Sequence, residues 1–259
     1  MTNQVLVLRL GGPLQAWSSS SRYNRRETDS IPTKSGVLGL LAAAQGRRRS
    51  DPIEDLLDLR MGVRVDQPGT LLPDYHTISS LAGEPLLSAS VGSQGKQKAT
   101  SPKKYTHVTQ RFYLQNACFV AAIEGPETLI QNLAEAVCNP AFPLFLGRRS
   151  CPPDRPPLLC NRTSLTWDPD LHNVLSVVSW QGKPVEFGLP KRKITPKSLP
   201  VTYDTPDGDS EVSDVPISYE PTSRGMRTRK VSTTWVVPPG LNESCDSDSV
   251  HDPFDLLGG

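Results

Sequence analysis

Gln4-Val-Leu-Val-Leu-Arg-Leu10, broken by Gly11-Gly12-Pro13, and Pro32-Thr33-Lys34-Ser35-Gly36, leading into Val37 to Gln45, are the two stretches that decide the fold. The first is a continuous run of β-branched and leucine residues, the pattern of a buried strand. The second is a helix, with Thr33 or Ser35 as its cap and Gly46 as its stop. Working outward, Pro52 to Leu59 reads as a second short helix and Met61 to Asp66 as a second strand. Cys118 to Ile123 is a third strand. Pro126 then opens a helix that runs to about Cys138, with Leu129, Ile130, Leu133, Ala134 and Val137 on one face. Strand, helix, strand, insertion, strand, helix is the beginning of a ferredoxin-like split βαβ unit with a long insertion between its second and third strands.

Beyond Asn139 the chain is proline-rich, and Val174 to Trp180, Val185 to Leu189, Val212 to Tyr219 and Val231 to Val237 read as strands. The fold class is therefore α+β with a β-rich second half. The expected division is a first domain over 1–165, a β-rich part over 166–238 and an acidic tail over 239–259.

The chain has 259 residues, long enough to bury its own core without a metal or a disulfide. Its 25 prolines point to loops and edge strands rather than a helical bundle. Val37 to Ala44, the longest nearly unbroken apolar stretch, is far short of the roughly 20 residues that span a bilayer. With no charged-then-apolar leader at Met1, the expectation is a cytoplasmic protein with no membrane partner. Five cysteines without a C-x-x-C pair and four scattered histidines give no metal site, and most of the thiols read as small buried hydrophobes. No cofactor is expected.

The formal net charge of +1 conceals an uneven distribution. Glu243, Asp246, Asp248, Asp252 and Asp255 stand in a tail without Lys or Arg, so residues 1–237 hold 28 cations against 22 anions, a net +6. Residues 85–123 contain five cations and no acid.

Four clusters could carry chemistry. Arg22, Arg25 and Arg26, with Lys34, lie between the first strand and the start of the first helix, where free backbone N–H groups suit a phosphate. In the basic insertion, read as an extended or mobile loop, Tyr105, Phe112 and Tyr113 interleave with Lys96, Lys98, Lys103, Lys104 and Arg111. Cations follow a phosphate backbone while aromatics stack on unpaired bases, and strand alternation should bury one of Phe112 and Tyr113 and expose the other. In Leu146-Gly-Arg-Arg-Ser-Cys-Pro152, the glycine permits close backbone approach and Arg148 and Arg149 offer forked donors. Asp74-Tyr75-His76-Thr77 places a Tyr and a His beside a basic region, as metal-free ribonuclease chemistry would need. In an extended segment, however, Tyr75 and His76 face opposite ways, which favours a structural or RNA-contacting His76. The phosphate-binding loop, the dinucleotide fingerprint, the H-E-x-x-H pair and the G-x-S-x-G elbow are all absent.

Leu8 to Trp17, Pro32 to Leu41, Asp74 to Thr77, Arg111 to Leu114 and Leu146 to Pro152 together resemble, in this order, the CasD family of type I-E Cascade subunits, CRISPR-associated RAMP proteins. The resemblance covers roughly 4–160 and is loose beyond, around Arg229 and Trp235. It implies a ferredoxin-like, RRM-like domain whose insertion, about 78–110, forms a thumb. It further implies a non-catalytic subunit that holds the 5′ handle of a guide RNA and caps a filament of backbone RAMP subunits. The large subunit would sit beside it, with target DNA near the PAM-proximal end a further contact. The RNA-binding set is then Arg22, Arg25, Arg26, Lys34, Ser35, His76, Lys103, Lys104, Tyr105, Arg111, Arg148 and Arg149. The alternative is a metal-independent endoribonuclease that processes CRISPR repeat RNA, with His76, His107 and Lys104 as its candidates.

Overall fold

The structure is a computed structural model, and it describes residues 2–18, 24–187, 192–220 and 225–241. Strand β1 (Asn3–Gly11) is buried from Val5 onward for a reason visible on three sides. Leu6, Leu8 and Leu10 point into one core and Val5 and Val7 into another. The outer edge is covered by the segment 157–167, where Val5 exchanges backbone hydrogen bonds with Trp167 at 3.0 and 2.8 Å and Leu159 N–H donates to the Val7 carbonyl. A strand covered on both faces and at its edge has no use for polar alternation.

Short β2 (Leu14–Gln15) and β3 (Arg25–Arg26) precede helix α1 (Lys34–Ala44). Thr33 caps α1 by accepting from Gly36 N–H at 3.2 Å, and Gly46, at φ +81°, ends it. A short α2 (Glu54–Leu57) leads into β4 (Arg60–Gln67). Strand β5 (Thr70–Ser79), the hairpin β6 (Leu86–Val91) and β7 (Gln97–Lys104), and β8 (Thr106–Gln115) follow. Then come β9 (Cys118–Pro126) and helix α3 (Glu127–Cys138), which buries Ile130, Leu133, Ala134 and Val137 as its spacing predicts.

The second half holds α4 (Leu171–Val177), the small pair β10 (Val185–Phe187) and β11 (Arg192–Ile194), and strands β12 (Leu199–Asp204), β13 (Ser210–Ser218) and β14 (Gly225–Val236). The main sheet is six-stranded and antiparallel in the order β1-β9-β4-β12-β14-β13. It crosses residue 165 without a break, so the C-terminal strands extend the N-terminal sheet. Helices α1 and α3 cover the face of Leu6, Leu8, Phe119 and Ile123; α4 covers that of Val5, Val7, Val120 and Ala122.

Two sequence expectations are corrected. Val174 to Trp180 is not a strand: α4 occupies Leu171–Val177, because Asp170 accepts from His172 and Asn173 N–H and starts a turn. Leu171, Val174 and Leu175 then bury at helical spacing, which outweighs the β propensity of the valines. The basic insertion is not a loop either. Strands β5 and β8 pair over ten residues, from Thr70↔Gln115 to Ser79↔Thr106, and the β6–β7 hairpin continues beyond them. Of the four described cysteines, Cys118 and Cys151 are buried while Cys138 and Cys160 are exposed. Among the described residues no helix is long and apolar enough to cross a membrane.

Candidate nucleic-acid interface

The base of the β5–β8 ribbon meets the body at a junction built from close approaches. Trp17 is buried, its indole N–H donating to Gln15 Oε1 at 3.0 Å, and Gln15 in turn donates to the carbonyls of Leu10 and Ala117. A Cβ on Gly36 would lie 2.7 Å from the Trp17 ring, so α1 packs on the indole only because position 36 has no side chain. The turn 146–151 docks on the same spot: Ala16 N–H donates to the Leu146 carbonyl at 3.1 Å. Gly147, at φ +84°, passes so near Ala16 that a Cβ would sit 1.8 Å from its carbonyl oxygen.

This junction sends Arg148 and Arg149 in different directions. Arg148 donates to the Phe112 carbonyl at 3.0 Å and the Arg26 carbonyl at 2.8 Å, and its guanidinium lies 4.8 Å over the Tyr113 ring. It ties the turn to β8 and β3. Arg149 is exposed and lines a cleft on the other side.

Across the ribbon base, register sorts the side chains onto two faces. Strand β8 pairs with β5 antiparallel and with β3 in parallel, so Asp74, Arg111 and Arg26 share one face, and Tyr75, Gln110 and Arg25 the other. On the second face Arg25 lies 4.8 Å over the Phe112 ring and bonds Glu27, with Tyr75 two-thirds exposed nearby. On the first, His76 Nδ1 is 3.0 Å from Asp74 Oδ2. Tyr113 is buried as expected for one of the pair, but Phe112 is half-buried rather than exposed, because Arg25 lies over its ring. Thr109 is 7% exposed with its hydroxyl unpaired, and Arg111 Nε is buried without a partner. Both face the same way, two positions apart on β8. Buried polar atoms without partners cost about 1–3 kcal/mol each, so a group that met these two would be favoured there. Farther along, Lys103, Lys104 and Tyr105 are exposed on the hairpin side of the ribbon. Arg22 lies outside the described residues.

Lys34 and Ser35 are placed differently from the expectation. Lys34 is 5% exposed and its ammonium donates to Asp204 Oδ2 at 2.9 Å, while its backbone N–H donates to Asp214 Oδ2 at 2.7 Å. Arg229 bridges the same two acids, and Asp204 also accepts from Met61 N–H. Burial works against the Arg229 charge, but Asp214 and Asp204 outweigh it and hold the guanidinium more firmly protonated than usual. Two cations and two anions cancel here. Ser35 is buried, and its carbonyl accepts from Tyr219 O–H at 2.5 Å. As placed, the Lys34 ammonium is taken by Asp204, while Ser35 borders a cleft beside α1.

Arg47, Arg48 and Arg49 follow directly on the Gly46 that ends α1. They border a cleft of about 690 Å³ with Arg149, Phe142 and Phe145, floored by Gly39, Ala42 and Ala43 of α1. Arg47 is held by Asp55 and the Pro52 carbonyl, whereas the side chains of Arg48, Arg49 and Arg149 have no partner among the described residues. The signal that could have found this cleft is a cation run just past a helix C-terminus. A solvated cap is the ordinary reading of such a run.

The profile of the family described as CRISPR-associated protein (Cas_Cas5) matches residues 5–232, nearly the whole described chain. The chain belongs to the Cas5 family. Its relative "CRISPR system Cascade subunit CasD" of Escherichia coli (strain K12) is 33% identical over 165 residues, covering 58% of this chain and 68% of that protein. Among solved structures, a chain of a "CRISPR RNA-guided surveillance complex" superposes with a TM-score of 0.70 at 31% identity, over 93% of this Cas5 chain and 96% of that one. A second, described as "Crystal structure of Cas protein", gives 0.64 at 31% identity over 90% and 94%.

Proposed function

We propose that this Cas5-family chain is an RNA-binding subunit of a Cascade surveillance complex, holding the 5′ handle of the guide RNA at the base of its thumb. The strand order β1-β9-β4, with α1 between β1 and β4 and α3 after β9, supports a ferredoxin-like unit. Its fourth strand position is taken by 157–167 along β1. In this reading the thumb is the β5–β8 ribbon with its β6–β7 hairpin, and it contains the 78–110 expected for it.

The observation that carries the proposal is the Arg111 face of β8, the less exposed of its two faces, where Arg111 Nε and Thr109 Oγ1 are buried and unpaired. Arg26 and His76 lie beside them, and Arg25, Phe112 and Tyr75 form the opposite face. The guanidiniums pair with a splayed nucleotide's phosphate, and the exposed Tyr75 stacks on a base. Lys103, Lys104 and Tyr105 extend the track along the thumb. Arg148 serves as the scaffold that fixes this face, and Arg149 serves the cleft. The partners are the guide RNA, the backbone RAMP subunits whose filament this chain caps, and the large subunit, with target DNA near its PAM-proximal end; the setting is cytoplasmic.

The test is binding of handle RNA by the purified chain. Arg111→Ala is expected to weaken binding roughly tenfold or more and to lower the salt slope by about 1, with the fold kept as read by circular dichroism. Unaltered affinity and slope would remove Arg111 from the interface. The same incubation in EDTA tests the endoribonuclease alternative: no cleavage is expected, whereas site-specific cutting abolished by His76→Ala would replace this proposal.

A further inference from the structure

The cleft beside α1 poses a separate problem of charge. Three guanidiniums, those of Arg48, Arg49 and Arg149, stand within one cleft without a partner among the described residues, next to a Phe142 that is 44% exposed. Such a surface asks for an occupant that is anionic and partly apolar. The chain itself contains one. Residues 242–259 carry Glu243, Asp246, Asp248, Asp252 and Asp255, no Lys or Arg, and the apolar Phe254, Leu256 and Leu257 interspersed with the last acids.

Reach is sufficient. The described chain ends at Leu241, which is buried and therefore a fixed point of departure. Ser218, next to the cleft residue Tyr219, pairs with Gly225 at one end of β14. The eleven steps from Gly225 to Val236 amount to roughly 36 Å of strand. Extended, the 18 residues 242–259 span up to ~60 Å, enough to return along β14 and around the sheet edge. Covalent attachment gives such a segment an effective concentration on the order of millimolar, so weak ion pairs suffice to seat it.

We propose that the acidic segment 242–259 occupies the arginine cleft of its own chain and competes there with RNA phosphates. The carboxylates pair with Arg48, Arg49 and Arg149, and Phe254 covers Phe142 and the small-residue floor of α1. The docking stands apart from the RNA reading; only the competition rests on it. Regulation follows: RNA must displace the segment to reach this part of the surface, so the chain binds RNA there more weakly than a bare basic cleft would.

Arginine reactivity reads the docking directly in the full chain. Phenylglyoxal modification, followed by peptide mass spectrometry, is compared between the native protein and a variant carrying Glu243→Gln, Asp246→Asn, Asp248→Asn, Asp252→Asn and Asp255→Asn. Arg48, Arg49 and Arg149 are expected to react several-fold more slowly in the native chain at low salt, and Arg25, in β3 at the base of the thumb, equally in both. High salt is expected to erase the protection, since the Debye length is only about 3 Å at 1 M. Equal reactivity of the three arginines in both proteins overturns the proposal, as does protection that is uniform across all exposed arginines. A second arm measures affinity for single-stranded RNA in both proteins. Tighter binding by the neutralised variant supports the competition. Protection without any change in RNA affinity leaves the docking in place and overturns the competition.

Discussion

Helix α1 carries cations at both ends under opposite conditions. At its N-terminus Lys34 is buried, paired with Asp204, and joined through Asp204 and Asp214 to Arg229 in a cluster of zero net charge. Past its C-terminus Arg48 and Arg49 face a cleft with no partner among the described residues. Both groups look equally available in the sequence. The difference is set by acids on β12 and β13, some 170 to 180 positions away from Lys34, which reach one end of the helix and not the other. Net charge and motif membership therefore say little about which cations can meet a ligand. Burial and pairing decide it.

The largest effect that would break this contrast comes from the buried end. Asp204→Ala removes the acceptor of Lys34, of Arg229 and of Met61 N–H, leaving two buried cations short of an anion. Loss of about 3–5 kcal/mol in denaturant unfolding is expected, and a change below 1 kcal/mol would show that the cluster does not hold α1 to the C-terminal strands. Next is the junction: Gly36→Ala forces a Cβ against the Trp17 ring and is expected to cost about 1–3 kcal/mol, read in the same unfolding experiment.

Arg148→Ala sharpens the contrast from the other side. It loses hydrogen bonds to the carbonyls of Phe112 and Arg26 and its place over Tyr113, so about 1–2 kcal/mol of stability should go with it. Arg149→Ala, by comparison, should stay within about 0.5 kcal/mol. Equal stabilities would erase the division of labour between the two arginines. The smallest effect concerns Asp55, whose carboxyl is held below its ordinary value of 3.8 by the hydrogen bond from Arg47. A depressed folded pKa stabilises above the unfolded pKa and is lost as pH falls through the folded one. Asp55→Asn should therefore flatten the acid limb of the stability profile slightly, below about pH 4, with the effect kept small by solvent screening.

Much of the first half of the fold was legible because its signals are local. The unbroken run in β1, the Thr33 cap and Gly46 stop of α1, and the one-sided face of α3 each follow from residues within a few positions. What escaped depends on distant partners. The strands of the basic insertion are rich in Ser, Lys and Thr, and only pairing over ten residues makes a ribbon of them. Helix α4 is seven residues long, and its valines suggest a strand until Asp170 caps it and its apolar side meets β4 and β9. For the candidate interface, the burial of one of Phe112 and Tyr113 could be read in advance, whereas Arg25 and Arg26 stood in a separate cluster from Arg111 until the β3–β8 pairing joined them. The withdrawal of Lys34 and Ser35 could not, because Asp204, Asp214 and Tyr219 lie in a region where no motif pointed to them.

The central claim is that RNA meets the face of β8 at the thumb base. Photocrosslinking of a guide RNA carrying 4-thiouridine through its 5′ handle, within the assembled complex and with peptides mapped by mass spectrometry, tests it most directly. The account predicts crosslinks on peptides containing Tyr75–His76 and Thr109–Phe112. Crosslinks confined to β12–β14 and α4, with none on β5 or β8, would contradict it.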